Sequence, residues 1–117
     1  MKLILKDKGT AHILVVEGKV EAGDVEGFSL FLKGLAKREA RDLVLDFSAT
    51  VMLVSAAIGT LLADTEPFRA AGKRVVMLKP NDKVAAVLKR CGVYEAIPVY
   101  PDRDAALAAL ADPLSGV

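Results

Sequence analysis

The chain reads as one α/β domain built on a mixed sheet, in the order ββαβαβαβα. Short runs rich in Val, Leu and Ile alternate with stretches whose apolar residues recur every three or four positions, the pattern of strands joined through helices. The first two runs are separated only by a Gly-containing turn, so the sheet opens with an antiparallel pair. Later runs are joined through helices, so they are parallel, with right-handed crossovers. A length of 117 residues gives room for one core. At 53% hydrophobic but only 5% aromatic, that core is aliphatic and needs no metal or disulfide to hold it.

Leu3–Asp7 and Ala11–Glu17 flank Lys8-Gly9 and form the opening hairpin. Gly18 to Gly23 is a loop, ended by Asp24, a residue type suited to capping a helix. Val25, Phe28, Leu32, Leu35 and Ala36 then mark one face of the first helix. Leu43–Phe47 is apolar apart from Asp46, which suits a central strand covered on both faces. After the turn Ala49–Ala57, Ser55 precedes Ala56, Ala57, Ile58, Leu61, Leu62 and Phe68, a second helix. A kink or break is expected at Pro67, whose ring clashes with the carbonyl four residues back. Val75–Leu78 is the next strand. Pro80-Asn81-Asp82 opens a helix with Val84, Val87, Leu88 and Cys91 inward, and Gly92 ends it. Ile97–Tyr100 is an edge strand, because Pro98 has no amide to donate. Asp102 or Asp104 caps a last helix, Ala105–Leu110. The domain is thus 1–111, and 112–117 is expected to be a frayed tail.

Charge and cysteine content exclude several function classes. Sixteen basic residues against fifteen acidic ones give +1, and Lys37, Arg38 and Arg41 are interleaved with Glu39 and Asp42. Proteins that track phosphate backbones show a clustered basic face, so nucleic acid is not an expected partner. Cys91 is the only cysteine, which fits a reducing, cytoplasmic compartment, and its helical phase predicts a buried, inert thiol. The N-terminus is too soon charged for a signal peptide. The longest uncharged stretch, Phe47–Ala63, falls short of the roughly 20 apolar residues that span a bilayer, so no membrane insertion is expected.

No catalytic constellation is visible. His12 is the single histidine and stands at a strand start, where it reads as a surface or packing residue without a cysteine or acid pair. Metal-ligand spacings are absent, so neither metal nor cofactor is expected. Gly18, Gly23 and Gly27 are too widely spaced for a dinucleotide fingerprint. Asp46 is read as a strand-end carboxylate that ties the following loop, since a buried acid needs donors and loop amides supply them. Interest therefore falls on Val51-Met52-Leu53-Val54-Ser55-Ala56-Ala57, an apolar loop running from a central strand into a helix start. Sites in parallel α/β sheets gather there, and unpaired amides at such a start favour an anion.

Leu43-Val44-Leu45-Asp46-Phe47-Ser48-Ala49-Thr50 followed by Ala57-Ile58-Gly59-Thr60-Leu61-Leu62 resembles the centre of the STAS domains, the sulfate-transporter and anti-sigma-factor-antagonist modules. Gly18-Lys19-Val20-Glu21-Ala22, Ala70-Ala71-Gly72-Lys73-Arg74-Val75 and the C-terminal third, from Leu88 to Leu107, extend the resemblance over about residues 3–111. The resemblance implies a non-catalytic bacterial regulator that docks on a protein partner, a switch kinase or anti-sigma factor, or a signalling scaffold. It assigns partner binding to Glu21, Val54, Ser55, Ala56, Ala57 and Ile58. Where the family pattern reads D-S-S-G, this chain has Val54-Ser55-Ala56-Ala57, so the position that accepts phosphate in the antagonists is Ala56, which has no hydroxyl. Phosphorylation is accordingly not expected. Ser55 matches the first serine and is expected to act as the helix N-cap, a weak candidate for modification. Glu21 replaces the family's usual aspartate. The alternative implied function is a non-catalytic subunit of a membrane lipid or anion transport system, and small-ligand sensing in the same loop is a third.

Overall fold

A computed structural model of the chain describes residues 1–39 and 41–111; the tail expected to fray, 112–117, lies outside the described residues. The elements are β1 (Lys2–Lys8), β2 (Ala11–Val20), α1 (Val25–Arg38), β3 (Asp42–Asp46), β4 (Thr50–Leu53), α2 (Ala56–Ala63), α3 (Glu66–Ala70), β5 (Val75–Leu78), α4 (Asp82–Arg90), β6 (Val99–Tyr100) and α5 (Arg103–Ala111). The sheet runs β1-β2-β3-β5-β6, antiparallel between β1 and β2 and parallel elsewhere, with β4 paired to β2 off that path. The mixed sheet and its opening hairpin are as the sequence predicts.

Alternating side chains of the sheet feed two apolar layers, as strand pleating requires. Leu14, Val16, Leu43, Leu45 and Met77 face α1, α2, α3 and α4, which add Phe28, Leu32, Leu61, Phe68, Val84 and Leu88. Ile13, Val15, Val44, Val76 and Leu78 face α5, which contributes Ala106 and Leu110. β5, covered on both sides, is therefore apolar throughout, and β3 is apolar between its terminal aspartates. Arg74 fastens α5 to this frame, donating to the carbonyls of Ala109 and Leu110 while its backbone N–H donates to Asp42 at 2.9 Å.

Several local expectations hold. The second helical pattern breaks into α2 and α3, with Pro67 in the first turn of α3, where its missing N–H has no partner to lose. Thr65 Oγ1 donates to Leu61 O at 2.6 Å and Arg69 to Leu62 O at 3.0 Å, so side chains satisfy carbonyls at the broken end. Gly92 takes the left-handed conformation, φ 71°, just after α4. Asp102 is the residue that caps α5, accepting from Ala105 N at 2.8 Å.

Other expectations are corrected. The stretch read as a turn after Phe47 contains β4, and β2 runs on past Gly18 to Val20 to receive it; a register shift between Gly18 and Lys19 marks the bulge. Asp24 makes no capping bond to α1; its carboxylate instead accepts from Glu21 N at 2.9 Å and closes the preceding turn. His12, read as a surface or packing residue, is packed inside at 4% exposure, but it does have an acid beside it. Its Nδ1 lies 2.7 Å from Asp7 Oδ1 and its Nε2 3.2 Å from the Glu39 carbonyl. Glu39 itself lies on the surface beside Arg41, whose guanidinium holds its carboxyl below the ordinary value.

Cys91 is exposed, not inward. Helical phase would have carried it into the core, but α4 ends at Arg90 and Cys91 is the C-cap residue, leading into the left-handed turn at Gly92. Thiol reagents are therefore expected to label native Cys91 about as fast as the unfolded chain. Slow labelling of the native protein that becomes fast in denaturant would show the thiol to be covered.

Candidate functional site

The site grows out of the carboxyl end of β3. Phe47 N–H donates to Leu78 O at 3.0 Å and Thr50 N–H to Phe47 O at 3.1 Å, which turns the chain sharply out of the sheet's centre. Asp46 accepts from both Ser48 N at 2.9 Å and Ser48 Oγ at 2.6 Å, and its other oxygen lies 3.6 Å from Arg103. The buried carboxylate thus ties the turn, the structural role read from the sequence.

The turned chain is then fixed against β2. Gly18 N–H donates to Ala49 O at 2.9 Å, buried Thr50 Oγ1 to Val16 O at 2.6 Å, and Val54 N–H to Val20 O at 3.0 Å. These bonds bring Glu21, which follows Val20, beside Val54 and the start of α2, although more than thirty residues separate them in sequence. On the outside stand Val51, at 51% exposure one of the few large apolar side chains in the open, half-buried Met52 and Val54, and exposed Ser55, Ala56 and Glu21. Ala57 and Ile58 are buried: they face the core beneath this surface and hold it from below.

Ser55 occupies the N-cap position but makes no capping hydrogen bond, contrary to the sequence expectation. Its backbone is already helical, φ −59° and ψ −30°, whereas a capping side chain is normally presented from extended backbone. The amides it was expected to satisfy are taken: Ala57 N–H donates to Val54 O and Ile58 N–H to Ser55 O, both at 3.0 Å. The same bonds remove two of the donors that would have attracted an anion to this helix start.

Chemically, the arrangement offers an apolar edge with a small, uncharged helix start. His12 lies near the start of β2 and Leu53 pairs with Val20 at its far end, so about 26 Å of strand separates His12 from the motif at roughly 3.3 Å per residue. Among the described residues, no group of three or more His, Cys, Asp or Glu side chains could hold a metal ion. A cavity of about 260 Å³ opens at the opposite, amino end of the parallel strands, bordered by Arg69, Lys73, Arg74, Val75 and Leu110; no motif residue lines it. None of the described helices is long and apolar enough to cross a membrane.

Sequence reasoning passed over one residue that shapes the site. Asn81 caps α4 through Oδ1, which accepts from Val84 N at 2.8 Å, and its Nδ2 reaches Thr50 O at 3.0 Å and Val51 O at 3.3 Å. The Pro-Asn-Asp helix start was legible as a cap, but no local pattern announces a second bond to a strand thirty residues earlier.

The same fold is found in solved structures of anti-sigma factor antagonists. A Thermotoga maritima protein described as a putative anti-sigma factor antagonist superposes with a TM-score of 0.87 at 15% identity, over 94% of this chain and 95% of that one. An anti-sigma factor antagonist from Mycobacterium paratuberculosis gives 0.85 at 20% identity, over 95% and 94% of the two chains. The Bacillus cell-fate determinant SpoIIAA, in its phosphorylated form, gives 0.70 at 15% identity, over 92% and 98%. At such identities the likeness establishes the fold. No curated protein matches the sequence. The family model for the STAS domain matches residues 2–106, nearly all of the two-layered sheet and the turn that carries the motif, and the chain therefore belongs to the STAS domain family.

Proposed function

We propose that this protein is a non-catalytic, cytoplasmic regulator of the anti-sigma factor antagonist type, docking on an anti-sigma factor, a switch kinase or a STAS signalling scaffold. The contact surface is β4 with the start of α2, flanked by Glu21. The observation that carries this reading is Val51: a β-branched apolar residue held half in the open by a strand that is anchored on both sides of it. Exposed apolar groups on a rigid, small-residue surface are what a partner can desolvate at little entropic cost. The fold neighbours named as anti-sigma factor antagonists support the choice of partner class.

Regulation by phosphate is absent from the motif in this reading. Ala56 stands exposed at the helix start and carries a methyl group where a hydroxyl would be the acceptor. Binding is then constitutive or governed by the partner. Incubated with a cognate switch kinase and ATP, the wild type is expected to take no phosphate at the motif, whereas Ala56→Ser is expected to take one. Phosphate mapped to Ser55 in the wild type and lost in Ser55→Ala would restore a switch one residue earlier.

Co-purification from the native cell, followed by mass spectrometry, tests the function as a whole. Recovery of a soluble kinase or anti-sigma factor supports it. Recovery of a permease or transport ATPase would instead make the chain a subunit of a membrane transport system.

A further inference from the structure

We propose that Asn81 is a positioning residue for the docking surface: its side-chain amide fastens β4 to the start of α4. The proposal rests on reading β4 and the start of α2 as the contact surface. Among the described residues β4 pairs with β2 alone, and no described strand lies on its other side to receive its carbonyls. Asn81 fills that place, donating from Nδ2 to the carbonyls of Thr50 and Val51, the second of which belongs to the most exposed apolar residue of the site.

The direction of the amide follows from chemistry. Oδ1 faces the Val84 N–H and Nδ2 faces two carbonyl oxygens. The opposite flip would set an oxygen against two oxygens and an NH2 against an N–H. The backbone delivers the side chain to this spot. Lys79 takes a left-handed conformation, φ 51°, while its N–H donates to Tyr100 O at 3.1 Å, and Pro80 then leads into extended Asn81. The strand order β5-β6 thereby fixes where the tether stands, and α4 packs against β4 beneath it. Asparagine is suited to both tasks at once. Aspartate and serine also cap helices, but aspartate has no donor for the two carbonyls and serine does not reach them.

Amide hydrogen exchange of the partner-free protein, followed by NMR, separates tether from cap. Asn81→Asp and Asn81→Ser keep an acceptor for Val84 N–H and lose the bonds to β4. Both are expected to raise exchange at Thr50 and Val54 by roughly 3- to 10-fold, the loss of one or two modest hydrogen bonds, with Val84, Leu45 and Met77 unchanged. Asn81→Ala is expected to raise exchange at Thr50, Val54 and Val84 together. Unchanged β4 amides in the Asp and Ser variants would reduce Asn81 to a helix cap and overturn the proposal. So would a rise spread equally over Leu45 and Met77, which would mark general destabilisation. Because no partner is present in the assay, failure here is distinct from failure of the docking reading, which the Val51 substitution below judges.

Discussion

Phe47→Ala is expected to destabilise the domain by about 3–5 kcal/mol, the usual cost of emptying a buried aromatic site. Phe47 is fully buried and belongs to the larger apolar layer, together with Leu45, Leu53 and Ala57. With aromatic residues at only 5% of the chain, few other side chains are large enough to move into the space. The layer is also closed around it by backbone bonds at 3.0 and 3.1 Å, which limit collapse. Domains of this size are typically stable by about 5–15 kcal/mol, so the variant is left marginal. Urea unfolding checks this: the midpoint should fall while the slope stays the same. Leu30→Ala is the control. Leu30 is 62% exposed on α1, so its loss should cost less than about 0.5 kcal/mol. A shift of the same small size for Phe47→Ala would mean that the core closes over the vacancy.

Val51→Asp is expected to weaken partner binding by roughly 10- to 100-fold while leaving stability within about 0.5 kcal/mol. The two effects separate because the side chain is about half in water in the unbound protein and would be desolvated only on docking. A carboxylate there stays hydrated in the free protein but meets an apolar partner surface without a counter-charge. The measurement is titration calorimetry against the kinase or anti-sigma factor recovered by co-purification. Affinity equal to wild type would move the contact surface away from β4. Ala57→Asp would be uninformative, since Ala57 is buried and the substitution acts on the fold.

Much of the site was legible before its geometry was known. Asp46 announced itself as an acid in an apolar strand, and it binds the turn that follows. The apolar character of Val51–Val54 marked the surface, but not that it is a strand, because the partner of β4 is the far end of β2. Ser55 looked like a cap from its residue type and position. Whether its oxygen is needed depends on where the neighbouring amides point, and they find backbone carbonyls first.

The sequence by itself determined what local chemistry decides. Apolar periodicity set most of the elements and their order along the chain, though not β4, while Pro67 set the break between α2 and α3 and Gly92 the end of α4, since each acts within a few residues of backbone. It also determined that residue 56, at the start of α2, is an alanine and carries no hydroxyl. Only the tertiary structure decided the features that depend on distant partners. These are the extension of β2 to meet β4, the burial of His12 between Asp7 and the Glu39 carbonyl, and the second role of Asn81. The exposure of Cys91 belongs with them, because α4 stops one residue short of it and local pattern does not fix helix ends so closely. A hydrogen bond across thirty residues of chain leaves no periodicity behind; it exists because packing two apolar layers brings those backbones within reach.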